Sequence, residues 1–77
     1  MTTPDPRAYV RVANQLRQQI TDGALRPGEP TPSITTLAQD HGIARQTAAK
    51  ALRLLESEGL VTRIPGLGYY VADRSGA

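Results

Sequence analysis

The sequence contains no cysteine, no phenylalanine and no tryptophan, and only three tyrosines and one histidine. Without cysteine, neither a disulfide nor a thiolate metal site can support the fold. A reducing cytoplasm is therefore a compatible location, and no metal or other cofactor is expected. The shortage of aromatics argues against a single-strand nucleic-acid binder, which stacks bases on aromatic rings. Tyr69 and Tyr70 sit together on a candidate strand that needs them for packing. His41 lies at a candidate helix C-terminus, where a positive charge is favourable for ordinary structural reasons. No carboxylate pair or nucleophile arrangement accompanies it, so an enzyme is the least favoured class. No apolar run approaches the ~20 residues of a membrane helix, and no membrane association is expected. Residues Met1 to Pro6 lack the basic and then apolar order of a secretory signal.

A chain of 77 residues buries only about 60% of the surface its unfolded form exposes. That allows one core and no separate ligand-binding domain, so no small-molecule effector site is expected in this chain. The net charge is only +2, but eight of the nine basic residues are arginine. Arginine reads guanine edges and phosphates through a planar fork, although genomic base composition explains the bias equally well. Position is more informative. Arg45, Lys50 and Arg53 fall between Ile43 and Leu55 with no acidic residue among them, and Glu56 and Glu58 follow directly.

Along the chain, residues 1–6 read as a disordered lead, 7–72 as one domain and 73–77 as a flexible tail. Tyr9, Ala13, Leu16 and Ile20 recur at i, i+4, i+7 and i+11, the stripe of an amphipathic helix from about Arg7 to Asp22. Gly23 ends it. Residues 24–32 hold three prolines and a glycine and form an extended connector. Leu25 is its candidate core anchor. Ser33 is a plausible N-cap for a short helix from about Ile34 to His41, with Ile34, Leu37 and Ala38 inward. Gly42 closes that helix. A third helix runs from about Arg45 to Glu58, with Ala48, Ala51, Leu52 and Leu55 as its apolar set. Leu60 to Arg63 and Tyr69 to Ala72 flank a Pro/Gly loop and read as a hairpin.

The unit Ala38-x-x-x-Gly42-x-x-Arg45-x-Thr47 joins a short helix to a longer one through a glycine turn, the spacing of a helix-turn-helix. With the hairpin added, the expected fold class is α+β, mainly α: a winged helix-turn-helix of three helices followed by a two-stranded β-hairpin wing. At roughly 100° per residue, Arg45, Gln46, Ala49, Lys50 and Arg53 face away from the apolar arc of the third helix. This polar, basic face begins at the helix N-terminus, the part that reaches base edges in such motifs. Ala49 in its middle permits close approach to a base pair. The loop from Pro65 to Gly68 lacks the full G-x-G-x-x-G pattern and no helix follows it, so it is not a nucleotide cradle. Glycines there would instead bring backbone amides to phosphates or the minor groove, with Arg63 adding charge. The partner implied is double-stranded DNA. A winged helix serving protein–protein contact is the alternative, and it would require an apolar exposed face on the third helix.

Leu16 with Ile20, Asp22 to Gly28, Pro32 with Ser33, Leu37 with Ala38, Gly42 to Thr47, Ala51 to Val61 and Pro65 to Val71 stand in an order and spacing that resembles the N-terminal domain of the GntR family of bacterial transcriptional regulators. The resemblance runs from about Tyr9 to Ala72. It implies a winged-helix fold and sequence-specific repression or activation, by a homodimer on an inverted repeat. Arg45 matches the family's arginine at the start of the recognition helix, Thr47 its polar companion and Gly66 its wing-tip glycine. There are departures. Ile34 and Thr35 replace an acidic residue and an arginine after the Pro-Ser pair, leaving at most hydroxyl contacts from Ser33 and Thr35. Ala44 replaces a capping Ser or Thr, an omission costing about 1 kcal/mol. Ile64 and Leu67 stand in a wing that is often arginine-rich. Family members usually continue into an effector-binding, dimer-forming domain, whereas this sequence ends just past the wing.

Overall fold

The computed structural model describes residues 7–73, so the expected lead at 1–6 and most of the expected tail lie outside the described residues. Three helices and one antiparallel hairpin follow in the expected order: α1 (Ala8–Asp22), α2 (Ile34–His41), α3 (Arg45–Ser57), β1 (Val61–Ile64) and β2 (Gly68–Val71).

α1 buries Ala8, Val12, Ala13 and Leu16. The expected stripe stepped over Ala8 and Val12. Ala8, Val12 and Leu16 lie four residues apart and form one side of the buried arc, with Ala13 on the other. Tyr9 and Ile20 share that arc but stand near the two ends of the helix, where they are only half-buried and pack against the core. Arg17 leaves the same helix and reaches the end of α3. Its Nε and Nη2 donate to the two carboxylate oxygens of Glu58 at 2.9 and 2.7 Å. This fork-on-carboxylate geometry fixes one helix against the other. Both side chains are about one-third exposed, 33% and 35%, which keeps the net stabilisation modest.

The connector does more than link helices. Arg26 to Glu29 form a β-turn with Pro27 and Gly28 in its centre, closed by Glu29 N–H donating to the Arg26 carbonyl at 3.0 Å. Gly28 has φ +86°, as the third position of a type II turn requires. The chain then runs beside β2. Thr31 N–H donates to the Tyr69 carbonyl at 2.9 Å, and Val71 N–H donates to the Glu29 carbonyl at 2.8 Å. These bonds flank the antiparallel bridge Pro30↔Tyr70. Pro30 thus occupies a non-hydrogen-bonded pair, where its missing N–H costs nothing. β2 is hydrogen-bonded on both sides, to β1 and to this short piece of connector.

Ser33 caps α2 as expected. Its Oγ accepts from Thr36 N–H at 3.0 Å and donates to Thr36 Oγ1 at 3.0 Å. Gly42 ends the helix at φ +63°, and its N–H together with that of Ile43 returns to the Ala38 carbonyl. This left-handed residue turns the chain sharply enough to start α3 after only Ile43 and Ala44. Ala44 occupies the α3 N-cap with no side-chain hydrogen bond, as its methyl side chain dictates.

α3 is the central element and contacts α1, α2 and β1. Its Ala48, Ala51, Leu52 and Leu55 are at most 1% exposed. Leu60 and Val61 close the core from the hairpin side, while Leu25, Ile34, Ile43, Leu54 and Tyr69 pack around it. Both strands start and end one residue away from their expected limits. Leu60 N–H is consumed by the Leu55 carbonyl at the end of α3, so the ladder begins at Val61. The three-residue turn closes on the pair Ile64↔Gly68, which moves the other boundary. No charged or polar side chain is buried among the described residues.

Candidate nucleic-acid interface

The ten residues singled out in the sequence separate into two adjacent concave surfaces. Gln46, Thr47, Ala49, Lys50 and Arg53 line a shallow depression on the outer face of α3. Ser33, Thr35, Arg45, Arg63 and Gly66 line a groove of about 370 Å³ between the wing and the start of α2. Arg45 stands where the two meet, at the first residue of α3.

Helical period explains the first surface. The apolar residues of α3 turn inward, so Arg45, Gln46, Lys50 and Arg53 are exposed, with Ala49 and Thr47 half-buried between them. α3 is 13 residues long, which gives a rod of roughly 20 Å. Such a rod has the width that a major groove of about 12 Å accepts. Among the described residues the exposed large apolar side chains are Val10, Ile64 and Leu67, none of them on α3. The apolar face required by a protein–protein role for this helix is therefore missing.

The groove is a tertiary construction. Tyr69 and Leu52 contribute to one part of its lining, Pro30, Thr31 and Pro32 come from the connector, and Ile64 to Gly68 come from the wing. The wing tip is a tight turn with Pro65 and Gly66 at its centre. Leu67 N–H donates to the Ile64 carbonyl at 3.0 Å, and Gly66 has φ +81°. The Ser33 hydroxyl caps α2 and the Thr31 hydroxyl donates to the Pro32 and Tyr69 carbonyls, whereas Thr35 has no such commitment among the described residues.

Charge is distributed unevenly. No acidic residue lines either surface. Two neighbouring carboxylates are used elsewhere: Glu58 holds Arg17, and Glu29 accepts the Arg26 N–H at 2.6 Å, while Glu56, exposed three residues past Arg53, lies outside both linings. Among the described residues, Arg45, Arg53 and Arg63 have no hydrogen-bond or ion-pair partner, in contrast to Arg17. Three exposed guanidinium groups thus remain uncommitted on these two surfaces. Lys50 differs from them. Its Nζ lies 4.3 Å from the centroid of the Tyr9 ring, a cation–π contact that ties α3 to the start of α1.

Tyr9, Leu67, Tyr69 and the connector prolines were not among the expected site residues. Tyr9 was read as core, and nothing local in the sequence pairs it with Lys50. The connector enters the site through its bridge to β2, a pairing between distant segments that local periodicity does not encode. Leu67 was visible only as a missing arginine.

Comparison with known proteins agrees with this architecture. The family model described as bacterial regulatory proteins, gntR family, matches residues 8–71. The HTH-type transcriptional repressor NagR of Bacillus subtilis is 41% identical over 64 residues, which are 83% of this chain and 26% of that protein. The histidine utilization repressor of Pseudomonas putida is 38% identical over 68 residues, 88% of this chain and 27% of that protein. The chain thus spans about a quarter of the length of these curated relatives. Among solved structures, the DNA-binding domain of AraR in complex with operator ORX1 superimposes with a TM-score of 0.82 at 29% identity, covering 94% of this chain and 92% of that one. With the family model covering nearly all the described residues and the winged-helix fold shared with such domains, the chain belongs to the GntR family of bacterial regulatory proteins.

Proposed function

We propose that this chain binds double-stranded DNA sequence-specifically as the DNA-reading part of a transcription regulator. The observation that carries the reading is the surface, free of acidic lining residues, on which Arg45, Arg53 and Arg63 have no partner among the described residues. An arginine fork without a protein carboxylate is suited to a phosphate or a guanine edge. α3 enters the major groove, with Arg45, Gln46, Thr47 and Ala49 towards the bases. Lys50 and Arg53 face the flanking backbone, where contacts give affinity without sequence information. Arg63, Gly66, Ser33 and Thr35 meet the neighbouring phosphates and minor groove from the wing side. NagR and the histidine utilization repressor are named as repressors, and the AraR domain was solved on operator DNA, which supports the same role here. Two copies on an inverted repeat are the arrangement we infer from the family.

A mobility-shift titration at two ionic strengths tests this. Neutralising phosphates releases counterions, so log K falls linearly with log salt, by about 0.9 for each phosphate contacted. Several such contacts are expected. Binding that is absent at low salt, or insensitive to salt, would remove the reading.

A further inference from the structure

Leu67 is the most exposed large apolar side chain among the described residues, at 69%. It sits on the tip of the wing, held there by a closed Pro-Gly turn rather than by packing. Neither Leu67 nor its turn partner Ile64 (37% exposed) belongs to the core or packs against it. The fold therefore gives Leu67 no evident task. Its surroundings are cationic: it lines the groove that also contains Arg45 and Arg63. Of the apolar lining only Ile64 and Leu67 are exposed large side chains, Ile34 and Tyr69 being partly buried and Leu52 buried, and beside two guanidiniums without partners among the described residues this is too little exposed apolar surface for a protein-docking patch. These side chains do match a duplex minor groove, which is narrow and bordered by phosphates that arginines can neutralise.

We propose that Leu67 is a specificity-determining residue that reads the minor groove by rejecting the exocyclic amino group of guanine. The idea rests on the preceding reading, that this face binds duplex DNA. In the minor groove, A·T pairs present only acceptors, whereas a G·C pair adds the guanine amino donor. A leucine methyl pressed against that amino group meets it sterically and strips its water without offering an acceptor. At an A·T pair the same methyl fills the groove floor. The chain thereby favours A·T under the wing tip while α3 reads other positions.

The test uses the whole chain. A random duplex pool is enriched for bound sequences. Each position outside the α3 footprint is then replaced in turn by A·T, G·C or inosine·cytosine, the last differing from G·C only by loss of the amino group. At the wing position, G·C should weaken binding about tenfold, within the range typical of one mismatched pair, and inosine·cytosine should restore it. Leu67→Ala should abolish that discrimination while keeping preferences within the α3 footprint; the exposed position puts the fold at no risk. Leu67→Lys should also lose the discrimination while raising overall affinity and its salt dependence. If G·C and inosine·cytosine bind alike at every flanking position, or if Leu67→Ala retains the difference, this assignment is overturned and the DNA-binding reading stands. A pool that shows no enrichment overturns the DNA-binding reading, and this assignment with it.

Discussion

On the outer face of α3, Gln46, Thr47, Ala49, Lys50 and Arg53 share one side because helical period places them there. In the wing groove, Ser33 and Thr35 at the start of α2 meet Arg63 and Gly66, which lie beyond α3 in the chain. The first surface exists wherever α3 is helical. The second exists only when the connector, β2 and the wing hold their register. The contrast separates two kinds of binding information. A helix face carries its charge pattern as local code, while a groove between elements depends on the core beneath it. Leu52 joins the groove to that core, since it is 1% exposed and also contributes to the groove lining.

Replacing that residue should produce the largest effect. Leu52→Ala leaves a cavity in the core beneath the groove and should cost about 2–5 kcal/mol. A domain of this size has a total stability of only several kcal/mol. Denaturant unfolding followed by circular dichroism should show the midpoint falling sharply, with helix and hairpin lost together. A groove that fails while α3 stays folded would show that the two surfaces do not share one core.

A smaller effect separates roles along α3. Arg45→Ala should cost about 1–3 kcal/mol of discrimination, because a bidentate arginine–guanine contact is worth that much. Specific binding should then approach the level on scrambled duplex. Lys50→Ala should weaken both kinds of duplex alike and reduce the salt slope by about one unit. Paired affinities on enriched and scrambled DNA measure both. Should Lys50→Ala instead erase the preference and Arg45→Ala lower both equally, the roles along the helix are reversed. The Tyr9 ring beneath Lys50 makes this comparison informative, because the ammonium must exchange one favourable contact for another when it meets a phosphate.

The smallest effect belongs to an arginine that lines neither surface. Arg17→Ala removes a partly exposed pair with Glu58 and should destabilise by no more than about 1 kcal/mol. DNA affinity should not change measurably. An affinity loss comparable to that of Arg45→Ala would mean that the interface extends round the far end of α3.

Local rules were sufficient for the three helices. Glycine ends, the Ser33 cap and apolar spacing are each short-range, and helix limits followed them to within a residue. The same rules gave the exposed set on α3, because a helix of 13 residues fixes direction by period alone. They were weaker in α1, where an apolar arc wide enough to include Ala8 and Val12 was read as a narrow stripe. In the hairpin they gave two strands but not their register, which depends on the turn closing at Ile64↔Gly68 and on Leu60 N–H being drawn back to α3.

Sequence by itself determined which residues α3 hides and which it presents, since both follow from the spacing of side chains along one rigid rod. It also determined that Gly42 and Gly66 mark turns, since left-handed backbone there is reached readily only without a Cβ. Only the tertiary structure decided that Pro30 bridges Tyr70, that Lys50 rests over Tyr9, that Glu58 pairs with Arg17 while Arg45, Arg53 and Arg63 have no partner among the described residues, and that Leu67 shares a groove with two arginines. Each of these joins segments far apart in the chain, and such pairings are set by how the whole core packs rather than by any local period.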